Sequence, residues 1–236
     1  TLQDMYAARS LRAMGALLDE KAATSGPALD LSFTPPSLKR RFLCGLAQAV
    51  AMPFILALMT AQWLGVFVSY MLIADSDAGF VRMLSSLLFI YMGINVATVI
   101  VVIAAKWLIV GRMKPGRYPL WGVAYFRWWL AQRLMGLTHM KWMQGSPVIR
   151  WYLVALGAKV GRDAIISDIE IGAVDLVSIG AGASLGQKAK LDNARVEGAE
   201  FIVGSIHIGK DAYIGSSCVL EENVVVGEGA ELRDLT

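Results

Sequence analysis

The sequence predicts an α + β chain in which a two-helix apolar hairpin precedes a parallel β-helix. Three observations carry that prediction: two long segments free of charge, a stretch of basic and aromatic residues after them, and a six-residue beat beyond Val160. The composition agrees. Apolar residues make up 56% of the 236 and charged residues only 17%, far from an ordinary soluble surface. A net charge of +3, with basic residues bunched beside apolar segments rather than along one stripe, argues against nucleic acid as a partner and for a membrane.

Residues 2–18, "LQDMYAARSLRAMGALL", place Leu2, Met5, Tyr6, Leu11, Met14, Leu17 and Leu18 at helical spacing, too little to form a core alone. Residues 1–19 are therefore expected to be the last helix of a preceding domain. The chain starts at Thr1 and stops within a repeat, and both ends are expected to be cuts in a longer protein. Residues 20–41 are rich in Ser, Thr, Ala and Pro and are expected to be a linker, because such a segment buries too little apolar area to offset its ordering entropy.

Phe42 to Ile73 and Met83 to Ala105 contain no Asp, Glu, Lys or Arg. Each exceeds the ~20 residues a helix needs to cross a hydrocarbon core, so residues 42–111 are expected to form a transmembrane hairpin. A secretory signal fits poorly, since the first apolar run is too long and begins too far in. Pro53 and Gly65 are candidate kinks, and Gln48, Gln62 and Asn95 are expected to face protein rather than lipid. Lys39, Arg40 and Arg41 precede the first span and Arg112, Lys114 and Arg117 follow the second, while the connection holds Asp75 and Asp77 against Arg82. The positive-inside rule then places both ends in the cytoplasm. Lys106 is expected to snorkel towards the membrane interface.

Residues 112–157 are expected to hold interfacial and lead-in helices. Within "YPLWGVAYFRWWLAQRLMGL" the residues Trp121, Tyr125, Phe126, Trp128 and Trp129 alternate with Arg127 and Arg133, a mixture suited to headgroups. An ordinary amphipathic helix packed on the following domain explains the same pattern.

From Val160 to the end, residues 158–236, the beat takes over. Val160, Ile171, Ile179, Leu185, Leu191, Ile208, Ile214, Leu220, Val226 and Leu232 are the aliphatic members, and a smaller residue follows four places on in most units: Ala164, Ala183, Ala189, Ala212, Cys218, Val224 and Ala230. A helix cannot use this period, because six residues turn about 600° and smear the apolar set around the cylinder. One short strand plus a turn per six residues, with three units to a coil, can use it. The aliphatic residues are expected to stack inside, each contributing about 1.5–3 kcal/mol when buried. The glycines after them, such as Gly161 and Gly180, are expected at corners needing unusual backbone angles or close approach. Cys44 and Cys218 have neither disulfide nor metal-ligand spacing and are expected to be buried thiols.

The hexapeptide spacing, with its lead-in "SPVIRWYLVALGAKVG" at 146–161, resembles the left-handed β-helix acyltransferases. The fold class so implied is a two-helix transmembrane hairpin followed by a left-handed parallel β-helix, the hand coming from the resemblance alone. The wider order resembles the C-terminal region of membrane-bound nonribosomal peptide synthetases of the ε-poly-lysine synthetase type. The segments that carry this likeness are "TLQDMYAARSLRAMGALL", a linker, two spans, "KPGRYPLWGVAYFRWWLAQRL" and "DLVSIGAGASLG". That resemblance implies amide bonds made from carrier-bound aminoacyl thioesters at the cytoplasmic face of a bacterial inner membrane. It implies phosphopantetheine and ATP with Mg in domains upstream, no cofactor or metal in this segment, and sibling hexapeptide domains or a homo-oligomer as partners.

The beat stops after Leu191 and resumes at Ile208, so residues 192–207 fill the place where such acyltransferases project a loop bearing a histidine as general base. Here the position reads Asp192, Asn193, Ala194, Arg195, with no base. His207, pointing outward beside the returning end of the loop, is the one catalytic candidate. His139 reads as an interfacial residue, Asp175 as a corner carboxylate, and Glu197 and Glu200 as solvated loop charges. This copy is accordingly expected to be degenerate or structural, and inactive alone. Two other functions compete: a membrane-tethered acetyltransferase using acyl-CoA, and a non-catalytic membrane anchor and assembly module.

Overall fold

The computed structural model describes residues 35–74 and 79–235. The segment expected as the last helix of a preceding domain, most of the expected linker, and Asp75 and Asp77 lie outside them. The described part is α + β, two long apolar helices followed by parallel sheets.

Helix α1 spans Leu38–Ala74 and α2 spans Phe80–Ile109. Pro35 and Pro36 stand just before α1, so the helix starts at Leu38 and the linker expected to reach residue 41 ends earlier. Both helices are long and apolar enough to cross a membrane, and within their most apolar windows only 11% and 6% of residues are buried. The core helix of a soluble protein buries such residues; these leave Trp63, Leu72 and Phe89 more than 70% exposed. Pro53 is accommodated within α1. Gly65 marks a close approach: a Cβ there would stand 3.1 Å from Ile94 Cδ1 of α2. Gln62 faces protein, as expected, and its amide donates to Thr98 Oγ1 of α2 at 3.2 Å and to the Leu137 carbonyl at 3.3 Å. Asn95 instead donates to Tyr91 in its own helix, and Gln48 is half-buried.

Strand β1, Gly116–Pro119, comes next and was not expected within a helical stretch. Helix α3, Val123–Met135, packs on both α1 and α2. Its other side meets the sheets through Trp128, whose indole N–H donates to the Gly172 carbonyl at 2.8 Å. A 3-10 turn at Met140–Trp142 leads to helix α4, Pro147–Leu156, which has Pro at its start and ends at Gly157 with φ 110°.

The strands that follow are β2 (Lys159–Val160), β3 (Ile165–Ile171), β4 (Val177–Ile179), β5 (Ser184–Asp192), β6 (Ala194–Glu197) and β7 (Glu200–Val203). Then come β8 (Ile206–Ile208), β9 (Tyr213–Ile214), β10 (Val219–Glu221), β11 (Val225–Val226) and β12 (Glu231–Leu232). One parallel sheet runs β11-β8-β4-β2; another runs β10-β5-β9-β12, with β3 also on β5. The pairing is in register with the six-residue beat, because Val160 opposes Ile179, Ile179 opposes Ile208 and Ile208 opposes Val226. Ile179, Leu185, Leu191, Ile208, Ile214, Leu220 and Val226 all lie in one buried cluster, joined by Ala183, Ala189, Ala212 and Cys218 from the smaller set. Cys44 and Cys218 are free and buried, as expected.

The corners divide the two roles expected of glycine between different residues. Three places after most of the aliphatic residues the backbone is left-handed, at Asp163 (φ 59°), Lys188 (57°), Asp211 (54°), Ser217 (58°) and Asn223 (66°), with Gly182 and Gly229 filling the same place. Asp and Asn tolerate this region better than most side chains. The glycine directly after the aliphatic residue answers a different need. A Cβ on Gly161 would stand 2.3 Å from the Ala181 nitrogen, and one on Gly180 would stand 2.5 Å from the Gly209 carbonyl carbon, so glycine lets stacked corners touch.

Candidate functional site

The interruption of the beat is a hairpin, β6 against β7, and β1 pairs with β7 on its other side. This corrects the projecting loop expected over 192–207. The segment supplies two strands of a small antiparallel sheet, with β7 central and paired to the chain before α3, and β5 runs on to Asp192 before it begins. The reason is Phe201, completely buried and ringed by Trp128 (centroids 4.8 Å apart), Tyr125 (5.5 Å) and Tyr118 (6.4 Å). Aromatic rings expected at the headgroups thus form the hairpin's core.

Asn193, at the hairpin's base, is completely buried. Its side chain accepts from the Ala173 N–H (2.7 Å) and donates to the carbonyls of Ala173 (2.9 Å) and Gly204 (3.2 Å), tying both ends of the excursion to the backbone after β3. Arg195 makes a two-pronged ion pair with Glu222, Nε at 2.8 Å and Nη2 at 2.9 Å. Burial opposes ionisation of Glu222, but the hydrogen bonds and charge of Arg195 outweigh it and hold the carboxyl below its ordinary pKa. Glu197 pairs with Arg195 and Glu200 with Arg117, both at 3.1 Å and largely exposed, in keeping with surface charges. The four positions where a base was sought are thus occupied by a cavity-wall carboxylate, a buried staple, a buried alanine and an arginine clamp.

A cavity of about 840 Å³ opens beside this point. One wall is α3 and the turn after it, with Trp128, Gln132, Arg133, Thr138, His139 and Trp142; the other is β3 and β5, with Asp168, Glu170, Lys190 and Asp192. Its size and mixed lining suit a small organic ligand with polar ends. Lys190 and Asp192 pair at 3.0 Å. Tyr152, also in the wall, shares a 2.7 Å hydrogen bond with Thr138, and burial raises the phenol's pKa against that bond's opposite pull. His139 is exposed and borders both this cavity and an apolar groove of about 510 Å³ along α2.

His207 does point outward, as expected, exposed on β8 between Ser178 of β4 and Val225 of β11. It is not among the residues lining the cavity. The structure therefore does not bring His207 together with His139. Asp175 is more than a corner carboxylate. With its side chain only 6% exposed, it accepts from the Met113 N–H at 2.5 Å and pairs with Lys106 at 3.8 Å. Lys106 does not snorkel. It is 4% exposed, donates to the Gly111 carbonyl at 2.9 Å and lies over the Trp107 ring. Sequence reasoning missed Asn193 and Lys106 as junction residues, and the one available signal was a charged residue inside an otherwise apolar helix end. Among the described residues, no three His, Cys, Asp or Glu side chains group as a metal site.

No family model matches the chain. No solved structure matches it either. The whole chain is similar to the Delta-poly-L-ornithine synthetase of Acinetobacter baumannii (strain AB307-0294), 36% identical over 238 residues, although it spans only 18% of that protein's length.

Proposed function

We propose that this chain is the membrane-anchored C-terminal part of a poly-amino-acid synthetase, in the region that joins aminoacyl units through amide bonds. The observation that carries the reading is the likeness over every residue of the chain to a poly-ornithine synthetase. The order of two lipid-suited helices, aromatic connector and six-residue parallel strands supports it. In this reading the parallel sheets close as a left-handed hexapeptide β-helix. Lys39 to Arg41 and Arg112 to Arg117 hold both ends of the hairpin on the cytoplasmic side of the bacterial inner membrane. Upstream domains use ATP with Mg to load an amino acid onto a phosphopantetheine thiol. An acceptor amine then attacks the thioester carbonyl, the C–N bond forms, the C–S bond breaks and the thiol leaves with a proton. Sibling hexapeptide domains or further copies complete the assembly.

This copy serves that reaction as anchor and docking scaffold. Three features support the assignment. Where the related repeats carry a base there is Asn193 stapling backbone, Ala194 packed inside and Arg195 engaged by Glu222. The test is product formation by the full synthetase carrying His207→Ala, and separately His139→Ala. Retained turnover in both is expected; collapse in either, with the fold intact, overturns the scaffold assignment and names the base.

A further inference from the structure

At 1.5 Å per residue, the 37 residues of α1 and 30 of α2 run about 55 and 45 Å, well beyond the ~30 Å hydrocarbon core. Part of the hairpin must leave the bilayer. The buried residues say which part: Cys44 and Ile55 in α1, Val102 and Lys106 in α2, all remote from the connection at 75–79. Counting the ~20 residues of a span from that connection puts the membrane boundary on α2 near Thr98. At that level Gln62 bonds both Thr98 and the Leu137 carbonyl.

The surface at that level is apolar where a water-facing surface would not be. Helix α4 buries Ile149, Tyr152, Leu153 and Leu156, yet its outer stripe is Val148 (53% exposed), Trp151 (69%) and Val154. One charge lies among them, Arg150, whose guanidinium stands over the Trp151 ring and donates to the Gly161 carbonyl at 2.9 Å; the helix is otherwise apolar on both faces. Trp142, 86% exposed, stands beside its start. Below Val148 runs the groove of about 510 Å³, walled by Tyr91 to Ile100 of α2 and by Leu137 to Met143. Helix α4 climbs along α2 from there, since Trp107 Nε1 donates to the Ala155 carbonyl at 2.8 Å near its end.

We propose that Trp142, Val148 and Trp151, with the groove beneath them, form a seat in the lipid leaflet on the β-sheet side. The groove takes acyl chains and the two indoles lie at headgroup depth. The proposal rests on the membrane reading of α1 and α2, with which this surface is continuous. Indole rings favour that layer because one edge is apolar and the N–H needs a polar partner. The interfacial element is then α4 and its lead-in, whereas α3, expected in that role, is packed between the hairpin and the sheets. The seat holds the His139 cavity at the membrane surface, because Thr138, His139 and Trp142 border both.

The test is spin-label accessibility on the full chain in phosphatidylethanolamine–phosphatidylglycerol vesicles, comparing dissolved oxygen with a water-soluble nickel chelate. Labels go on Leu88→Cys in α2, Val148→Cys, Val154→Cys and Val225→Cys; Val225 is exposed and lies on the sheet edge opposite β2. The ratio of oxygen to nickel accessibility should fall in the order Leu88, Val148, Val154, Val225, with Val148 several-fold above Val225. A lipid-like Leu88 beside a Val148 as water-exposed as Val225 overturns the seat and leaves the span intact. A water-exposed Leu88 overturns the membrane reading itself, and the seat with it.

Discussion

The helical hairpin and the parallel-strand region use the same side chains in opposite ways. Leu88 of α2 is 57% exposed and Leu185 of β5 is completely buried, and both are typical of their surroundings. In the strands, water supplies the driving force, so the aliphatic residues of the six-residue beat point into the common cluster. The hairpin helices are long and apolar enough to cross a membrane, where water would supply no such force between them, and what joins them is close contact at Gly65 and the polar bonds of Gln62. Hydropathy alone does not separate the two regions; periodicity does.

The sharpest way to break the comparison is at the joint between them. Asp175→Ala should cost about 3–5 kcal/mol, because it strands Lys106 as an uncompensated buried charge. Unfolding in detergent followed by near-UV circular dichroism would read it, and a loss below 1 kcal/mol (about the worth of an exposed pair) would show that Lys106 is solvated. Leu185→Ala should destabilise the strand region by about 2–5 kcal/mol, as large-to-small changes in packed cores do. The same change at Leu88 should move the transition by less than about 0.5 kcal/mol, and equal effects at the two sites would erase the distinction drawn here.

A smaller effect belongs to the clamp at the hairpin. The lowered Glu222 pKa means that the carboxylate stabilises the fold fully above its ordinary unfolded value. That contribution is lost as pH falls through the lower folded value. Glu222→Gln should therefore lower stability at neutral pH and leave it nearly unchanged in acid, which flattens the acid limb in melting curves taken from neutral to acid; an unaltered acid limb would mean that Arg195 does not hold the carboxylate. Smallest of all, Val225→Ala on the exposed edge should stay within about 0.5 kcal/mol of the parent, and a larger loss would show a covering partner on that sheet edge.

How far the sequence disclosed this structure follows from what each signal encodes. The hairpin was legible because span length and absence of charge are local properties, and the helices overrun the expected bounds only by a few residues. The stacked interior was legible because a period of six has one physical use, and Asp163, Asp211 and Asn223 at the left-handed corners strengthen the same beat. What escaped was long-range. Strand β1 pairs with β7 more than eighty residues away, and nothing local to "GRYP" announces it. Phe201 and Trp128 meet for the same reason. The cavity escaped too, since its walls come from either side of α4 and neither wall carries a motif. In the sequence His139 reads as an interfacial residue, and only the fold shows that it borders both a polar cavity and an apolar groove.

Register is the claim everything else stands on, and zero-length crosslinking of paired cysteines in native membranes tests it most directly. Ser178→Cys with His207→Cys places two outward thiols on directly opposed positions of β4 and β8, and Ser178→Cys with Val225→Cys places them one strand further apart. Rapid disulfide formation in the first pair and little in the second is the predicted result. The reverse, or linking of neither, would contradict the stacked parallel strands and the architecture built on them.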